Sequence, residues 1–172
     1  MSSEIRIQTE RFTLRPLTES DRDQVVRLLD DFEVARWLTV VPHPYTAADY
    51  TDFLTHLADT SVLGGLAIEE DGQVLGVVGL DPTLGYWLGR AHHNRGVMTE
   101  AAGGLVDWAF RNQDITELGS GYFEGNTASQ TVLHRIGFRE TSMIEDVHCT
   151  SQGIDTKLIK VSLDRSVWEK SQ

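Results

Sequence analysis

Residues 84–110 read LGYWLGRAHHNRGVMTEAAGGLVDWAF. A short apolar strand over 84–88 stops at Gly89, and a polar loop of His, Asn and Arg follows. Gly96 then opens a helix on which Met98, Ala101, Ala102, Leu105 and Ala109 recur at helical spacing. The first N–H groups of such a helix, from Val97 to Glu100, lack carbonyl partners within it, and a glycine at its start permits close approach. A strand–loop–helix corner of this kind holds anions, phosphates above all.

Two familiar phosphate loops are excluded. No G-x-x-x-x-G-K-[ST] stretch occurs, which argues against a P-loop nucleotide hydrolase, and no G-x-G-x-x-G follows a strand, which argues against a dinucleotide fold. What does follow is a second strand-to-helix passage, residues 117–138, ELGSGYFEGNTASQTVLHRIGF. GYWLG and HNRGVMTEA, followed by EGNTASQTVLHRIGF, resemble the acetyl-CoA-binding core of the GNAT N-acetyltransferases. Within that superfamily they are most similar to the branch that acetylates the N-termini of ribosomal proteins. The resemblance extends over nearly the whole chain, from TERFTLRPLTESDRD (9–23) to VSLDRSVWEK (161–170).

The remaining elements suit an α/β chain. A first strand is expected over 11–14 and a helix over about 20–33, with Thr18 and Asp21 as a capping-box pair and Val25, Val26, Leu28, Leu29 and Phe32 as its buried stripe. A second helix begins after Thr46-x-x-Asp49. Strands near 63–68 and 74–80 flank Asp71-Gly72, a strong hairpin signal. Beyond the phosphate corner come a strand over 117–123, a helix over 127–135 and a closing pair near 141–149 and 155–163. The GNAT resemblance implies a mixed, twisted central sheet of about seven strands, two of them splayed, with about four helices. No linker or repeat divides the chain, so residues 1–172 are expected to form one domain.

Composition narrows the function. One cysteine, Cys149, cannot form an internal disulfide and suits a reducing compartment. No apolar run is long enough to span a bilayer and no signal-peptide pattern is visible, so a cytoplasmic protein without a membrane partner is expected. The net charge is −11, from 26 acidic and 15 basic residues. That balance argues against nucleic acid as a ligand. It favours encounter with a cationic substrate such as a basic protein tail or a polyamine, and equally serves plain solubility. His92 and His93 are adjacent, and neighbouring histidines seldom chelate one ion alone. With no Cys or carboxylate at ligand spacing nearby, no metal is expected.

The resemblance also implies site residues. Backbone groups of Trp87 and Leu88 would face the pantetheine amides and the thioester carbonyl. The pyrophosphate would rest on the N–H groups of Gly96, Val97, Met98, Thr99 and Glu100, with His93 and Arg95 as side-chain partners. His93 replaces the family's Gln or Arg. Met98 replaces a Gly or Ala, and as part of the apolar stripe it is expected to turn into the core. Asn126 would cap its helix and touch the pantetheine arm, and Ser129, a turn further on, would donate to the leaving thiolate. Glu124, at the end of its strand, is the first candidate for a catalytic base, ahead of Tyr86 and Glu100. Asp30, Asp31 and Glu33, beside Trp37, are either solvated or an acidic rim for an incoming amine.

The function implied is direct transfer of an acetyl group from acetyl-CoA to a primary amine, foremost a protein N-terminal amine. The alternatives are a small cationic amine, such as a polyamine or aminoglycoside, or a non-catalytic CoA-binding regulatory module. Relatives of this kind often form homodimers.

Overall fold

The computed structural model describes residues 4–172. The chain runs β1 (Ile7–Gln8), β2 (Thr13–Pro16), α1 (Arg22–Leu29), α2 (Phe32–Ala35), α3 (Ala47–Asp59), β3 (Leu66–Glu70), β4 (Gln73–Leu80) and β5 (Leu84–Leu88). It continues α4 (Val97–Asn112), β6 (Glu117–Phe123), α5 (Thr127–Ile136), β7 (Arg139–Cys149), β8 (Ile154–Asp164) and α6 (Arg165–Lys170). This is the expected α/β class, with two differences of count. Eight strands replace seven, because β1 forms a short antiparallel pair with β2. Six α-helices replace four, through a C-terminal helix and a break in the first one.

That break has a local cause. Asp30 leaves the helical region at ψ 54°, and Asp31 restarts the chain as the N-cap of α2, its carboxylate accepting from the Glu33 N–H at 3.0 Å. Asp30 in turn accepts from the Tyr45 N–H at 3.0 Å. Short acidic side chains compete with the helix for its own backbone groups. Both acids are thus engaged in holding the chain, and Asp31 also pairs with Arg90 at 3.0 Å.

The strands form two sheets, in the orders β1-β2-β3-β4-β5 and β6-β8-β7, and every paired neighbour is antiparallel. The two strands expected to splay are β5 and β6, and the sheet divides between them into these two antiparallel parts. Helix α4 spans the split. It buries eight residues, from Val97 to Phe110, against Leu14, Ile68 and Leu84 of the first sheet and Leu118, Tyr122 and Leu163 of the second. Gly104 permits its close approach to the β1–β2 turn, since a Cβ there would lie 2.7 Å from Thr9 Cγ2. A second core sets Val25, Leu29, Tyr50 and Leu57 on Ala67, Val74 and Val77 of the opposite sheet face. The tip of the β7–β8 hairpin ties down the loop after α2. Thr150 N–H donates to Thr39 O at 2.9 Å, Ser151 Oγ to Ala35 O at 3.0 Å and Gln152 Nε2 to Arg36 O at 2.9 Å.

Candidate active site

β5 and β6 meet at one stitch, where the buried Ser120 Oγ donates to Leu84 O at 2.8 Å. Beyond it the strands part, and a cavity of about 930 Å³ opens between them, reaching the start of α4. Strand alternation decides which β5 groups face it. Gly89 N–H donates to Leu75 O, and Trp87 stands opposite Val77 in the same register. The backbone of Trp87 is thus spent on β4, while Leu84, Tyr86 and Leu88, on the other parity, turn theirs toward the opening. This moves the expected backbone role from Trp87 to Tyr86 and retains Leu88. Leu88 O already bonds His93 Nε2 at 2.9 Å, so its N–H is the group left over. The Trp87 side chain lines the cavity.

The start of α4 is open. Gly96 holds φ 69° and ψ 13°, a left-handed conformation, and among the described residues no side chain caps the helix. The Val97, Met98 and Thr99 N–H groups fall within the first turn, which has no internal acceptors. Glu100 differs from expectation, because its N–H donates to Gly96 O at 3.2 Å. Its carboxylate is also committed, accepting from Thr9 Oγ1 at 2.8 Å, Arg11 N–H at 2.6 Å and Arg11 Nε at 2.7 Å. Those donors remove it as a base. Burial alone would raise its pKa, but the Arg11 and Thr9 hydrogen bonds outweigh burial and lower it. Met98 is 5% exposed and sits in the core, as its place in the apolar stripe implied.

Arg95 does not line the cavity. It reaches instead to Glu70 at 3.4 Å and His92 Nδ1 at 3.3 Å. The cations that do line it are Arg90, Arg135 and Lys160, against the single carboxylate of Glu33. Arg135, exposed and without an ion-pair partner among the described residues, escaped sequence reasoning because nothing local marks a helix-surface arginine as facing a slot. Arg11 escaped for the same reason. Its guanidinium binds Arg95 O at 3.0 Å and lies 3.6 Å from where a Gly96 Cβ would stand.

At the opposite wall, Asn126 Oδ1 accepts from Ser129 N–H at 3.3 Å, the capping role expected of it. Ser129 Oγ lies 2.8 Å from the Tyr86 hydroxyl, joining α5 to β5 across the cavity. Burial pushes the Tyr86 phenol up to about 12, against a smaller downward pull from the Ser129 bond. It therefore stays protonated at neutral pH. Glu124 is exposed and lines no part of the cavity; its N–H donates to Lys157 O at 2.9 Å. The geometry does not bring Glu124 to Ser129, because the chain turns at Gly125 before α5 begins. Cys149 is buried, within 3.5 Å of Arg36 O and Leu38 O, and faces no opening.

A second cavity, about 480 Å³, adjoins the first and shares Leu38, Thr39, Thr83, Gly85, Tyr86 and Trp87 with it. Its inner wall is apolar, and its charged lining residues are Asp49, Asp52 and Asp81.

An uncapped helix start thus faces a slot between unpaired strands, with a hydroxyl pair at its wall. The chain belongs to the GNAT acetyltransferases: the family's acetyltransferase (GNAT) domain matches residues 11–139. It is an acetyl-CoA-dependent N-acetyltransferase. It is 25% identical over 153 residues to Uncharacterized N-acetyltransferase p20 of Bacillus licheniformis, covering 81% of this chain and 85% of that protein. It is 26% identical over 176 residues to Putative ribosomal N-acetyltransferase YdaF of Bacillus subtilis (strain 168), covering 93% and 94%. Its fold matches that of Mycobacterium smegmatis RimJ in complex with CoA-disulfide, with a TM-score of 0.76 at 18% identity over 98% of this chain and 94% of that one.

Proposed function

We propose that the chain acetylates the α-amine of a protein N-terminus by direct transfer from acetyl-CoA. The observation that carries this is the open start of α4, facing a slot that leads to the Tyr86–Ser129 pair. The residues present fit the donor. The Gly96 turn and the Val97, Met98 and Thr99 N–H groups suit phosphate oxygens, and Arg90, Arg135 and Lys160 add cationic charge to the slot of an acidic chain. Acetyl-CoA bound in the slot supplies an acyl group activated as a thioester.

The chain's own groups do the rest. Tyr86 and Leu88 present backbone edges to the amide arm, and the Leu88 N–H is the donor available to a carbonyl oxygen. The protonated Tyr86 hydroxyl can donate to Ser129 Oγ, an arrangement that leaves the serine proton free to turn toward a departing sulfur. A free thiol has a pKa of about 8.5, so this donor assists without being essential. Cys149 lies away from both cavities, consistent with transfer that forms no acyl-enzyme.

Acceptor chemistry favours an α-amine. Its pKa of about 7.7–8.0 leaves a usable neutral fraction at pH 7, whereas a lysine amine near 10.4 needs a strong base. The slot supplies only the exposed Glu33 as a carboxylate. The ribosomal name of one relative points the same way. We place the acceptor in the second cavity, because it meets the slot at Tyr86.

Isotope-labelled acetyl-CoA incubated with a cell lysate, followed by mass spectrometry, should label protein α-amines. Label on small molecules alone would refute the N-terminal reading. Tyr86→Phe and Ser129→Ala should each lower kcat by roughly ten- to a hundredfold, at or below the low end for general acid–base groups because the thiolate leaves readily unaided, with acetyl-CoA affinity retained. An unchanged kcat in both would discard the hydroxyl pair.

A further inference from the structure

The two adjoining cavities carry opposite charge. The slot is lined by Arg90, Arg135 and Lys160, whereas no Lys or Arg lines the second cavity, which presents Asp49, Asp52 and Asp81. These three carboxylates are not equivalent. Asp49 is occupied by the α3 cap, accepting from Thr46 N–H and Thr46 Oγ1 at 2.7 Å each. Asp52 and Asp81 are exposed, have no ion pair and accept no side-chain hydrogen bond among the described residues, and they border an apolar wall of Val25, Leu29, Val41, Phe53 and Val77. A carboxylate beside apolar surface gains from a cation that the same ligand brings with it.

A second feature is independent of the acids. Tyr45 lines this cavity at 6% exposure, and its hydroxyl has no hydrogen-bond partner among the described residues. Burial, with Asp49 and Asp52 adding to it, pushes its pKa up to about 12, so at neutral pH it stays protonated and can donate to an acceptor brought into the cavity. A peptide carbonyl supplies one, whereas a polyamine offers none.

We infer that the second cavity selects peptide N-termini bearing a Lys or Arg within the first few residues, with the side-chain cation on Asp52 and Asp81 and a backbone carbonyl on the Tyr45 hydroxyl. This deepens the acetyl-transfer reading and rests on it. The reacting amine lies at Tyr86, the shared wall, the apolar wall takes the intervening chain, and the cation reaches the acidic rim. The acidic rim also excludes acceptors with an early Asp or Glu, since like charge there is repulsive.

The test is a kinetic panel with acetyl-CoA. It contains pentapeptides differing only in Lys or norleucine at the second or third position, together with a diamine and the monoamine of equal length. The expected result is a higher kcat/KM for the lysine peptides. Asp52→Asn and Asp81→Asn should each lower the lysine-to-norleucine ratio by about two- to fivefold, the range for partly exposed ion pairs. Tyr45→Phe should raise the peptide KM without lowering Tm, because no group among the described residues bonds the hydroxyl. No preference in the wild type, or one that survives in the double Asn variant, overturns the inference and leaves acetyl transfer intact. Turnover of the diamine but not the peptides overturns the N-terminal reading and the peptide selection together. Acetylation of neither panel, with acetyl-CoA still bound, overturns both.

Discussion

Helices α3 and α4 begin in opposite ways. At α3 the chain closes its own end: Asp49 N–H donates to the Thr46 hydroxyl at 3.4 Å, and the Asp49 carboxylate accepts from Thr46 N–H at 2.7 Å. At α4 a glycine occupies the cap position in a left-handed conformation and no side chain closes the first turn. The cores explain how both persist. α3 buries only Tyr50 and Leu57, so a capping box worth about 1 kcal/mol matters to it. α4 buries eight residues between two sheets, and tertiary packing supplies most helical stability. A helix anchored this strongly can leave its first N–H groups for a ligand at little cost.

The most forceful way to break this contrast is Gly96→Val. A Cβ at Gly96 would have room, its nearest neighbour being Arg11 Nη2 at 3.6 Å. The obstacle is the positive φ, which costs a branched residue about 1–2 kcal/mol, and the bulk placed where a phosphate approaches. The protein should still fold, with Tm lowered by a few degrees, while the acetyl-CoA Kd rises at least tenfold by calorimetry. A Kd within twofold of wild type would mean that the α4 start is not the phosphate site. The complementary change, Thr46→Ala, should cost about 1 kcal/mol, or roughly 2–4 °C in Tm for a chain of this size. Its acetyl-CoA affinity should not move; a parallel loss of affinity would show that the two helix starts are coupled.

How much of this could be read from the chain alone follows from distance along it. The strand–loop–helix corner at Gly96 was legible because its signals, a glycine, an apolar stripe and a strand end, lie within a few residues of one another. Asn126 as a cap and Met98 as a core residue were legible for the same reason. Trp87 was assigned to the slot because strand alternation fixes two edges but not which edge meets β4; only the pairing with Val77 settles that. Arg95 and Glu124 have the right residue types near the right motif, yet tertiary partners, Glu70 for one and a turn at Gly125 for the other, take them elsewhere. The Tyr86–Ser129 bond, the Ser120 stitch, Arg135 and the acidic cavity all join segments distant in sequence. Composition reported the net acidity, and only the fold sorted the charge into one cationic and one anionic opening.

The smallest expected effect tests what holds the open helix in place. Glu100 sits in the first turn of α4, where an acid favours the helix dipole. Instead of reaching back to cap the helix, its carboxylate is turned sideways to Thr9 and Arg11. It thereby fastens the β1–β2 turn to α4, and its charge is matched by Arg11 rather than left facing an incoming phosphate. Because its pKa is lowered in the folded state, the stability it contributes is fully present above the unfolded value of about 4.3 and is lost as pH falls through the lower folded value. Glutamine keeps an acceptor for Thr9 and the Arg11 N–H but loses the ion pair, so Glu100→Gln should cost only about 0.5–1 kcal/mol at pH 7. The informative quantity is the gap in Tm between wild type and variant, followed by calorimetric scans from pH 7 down to pH 3. It should narrow below about pH 4.3, as the wild-type carboxylate takes up its proton. A gap that stays constant across that range would mean the carboxylate's charge does not brace the helix, and that packing around Gly104 alone keeps the start of α4 in position.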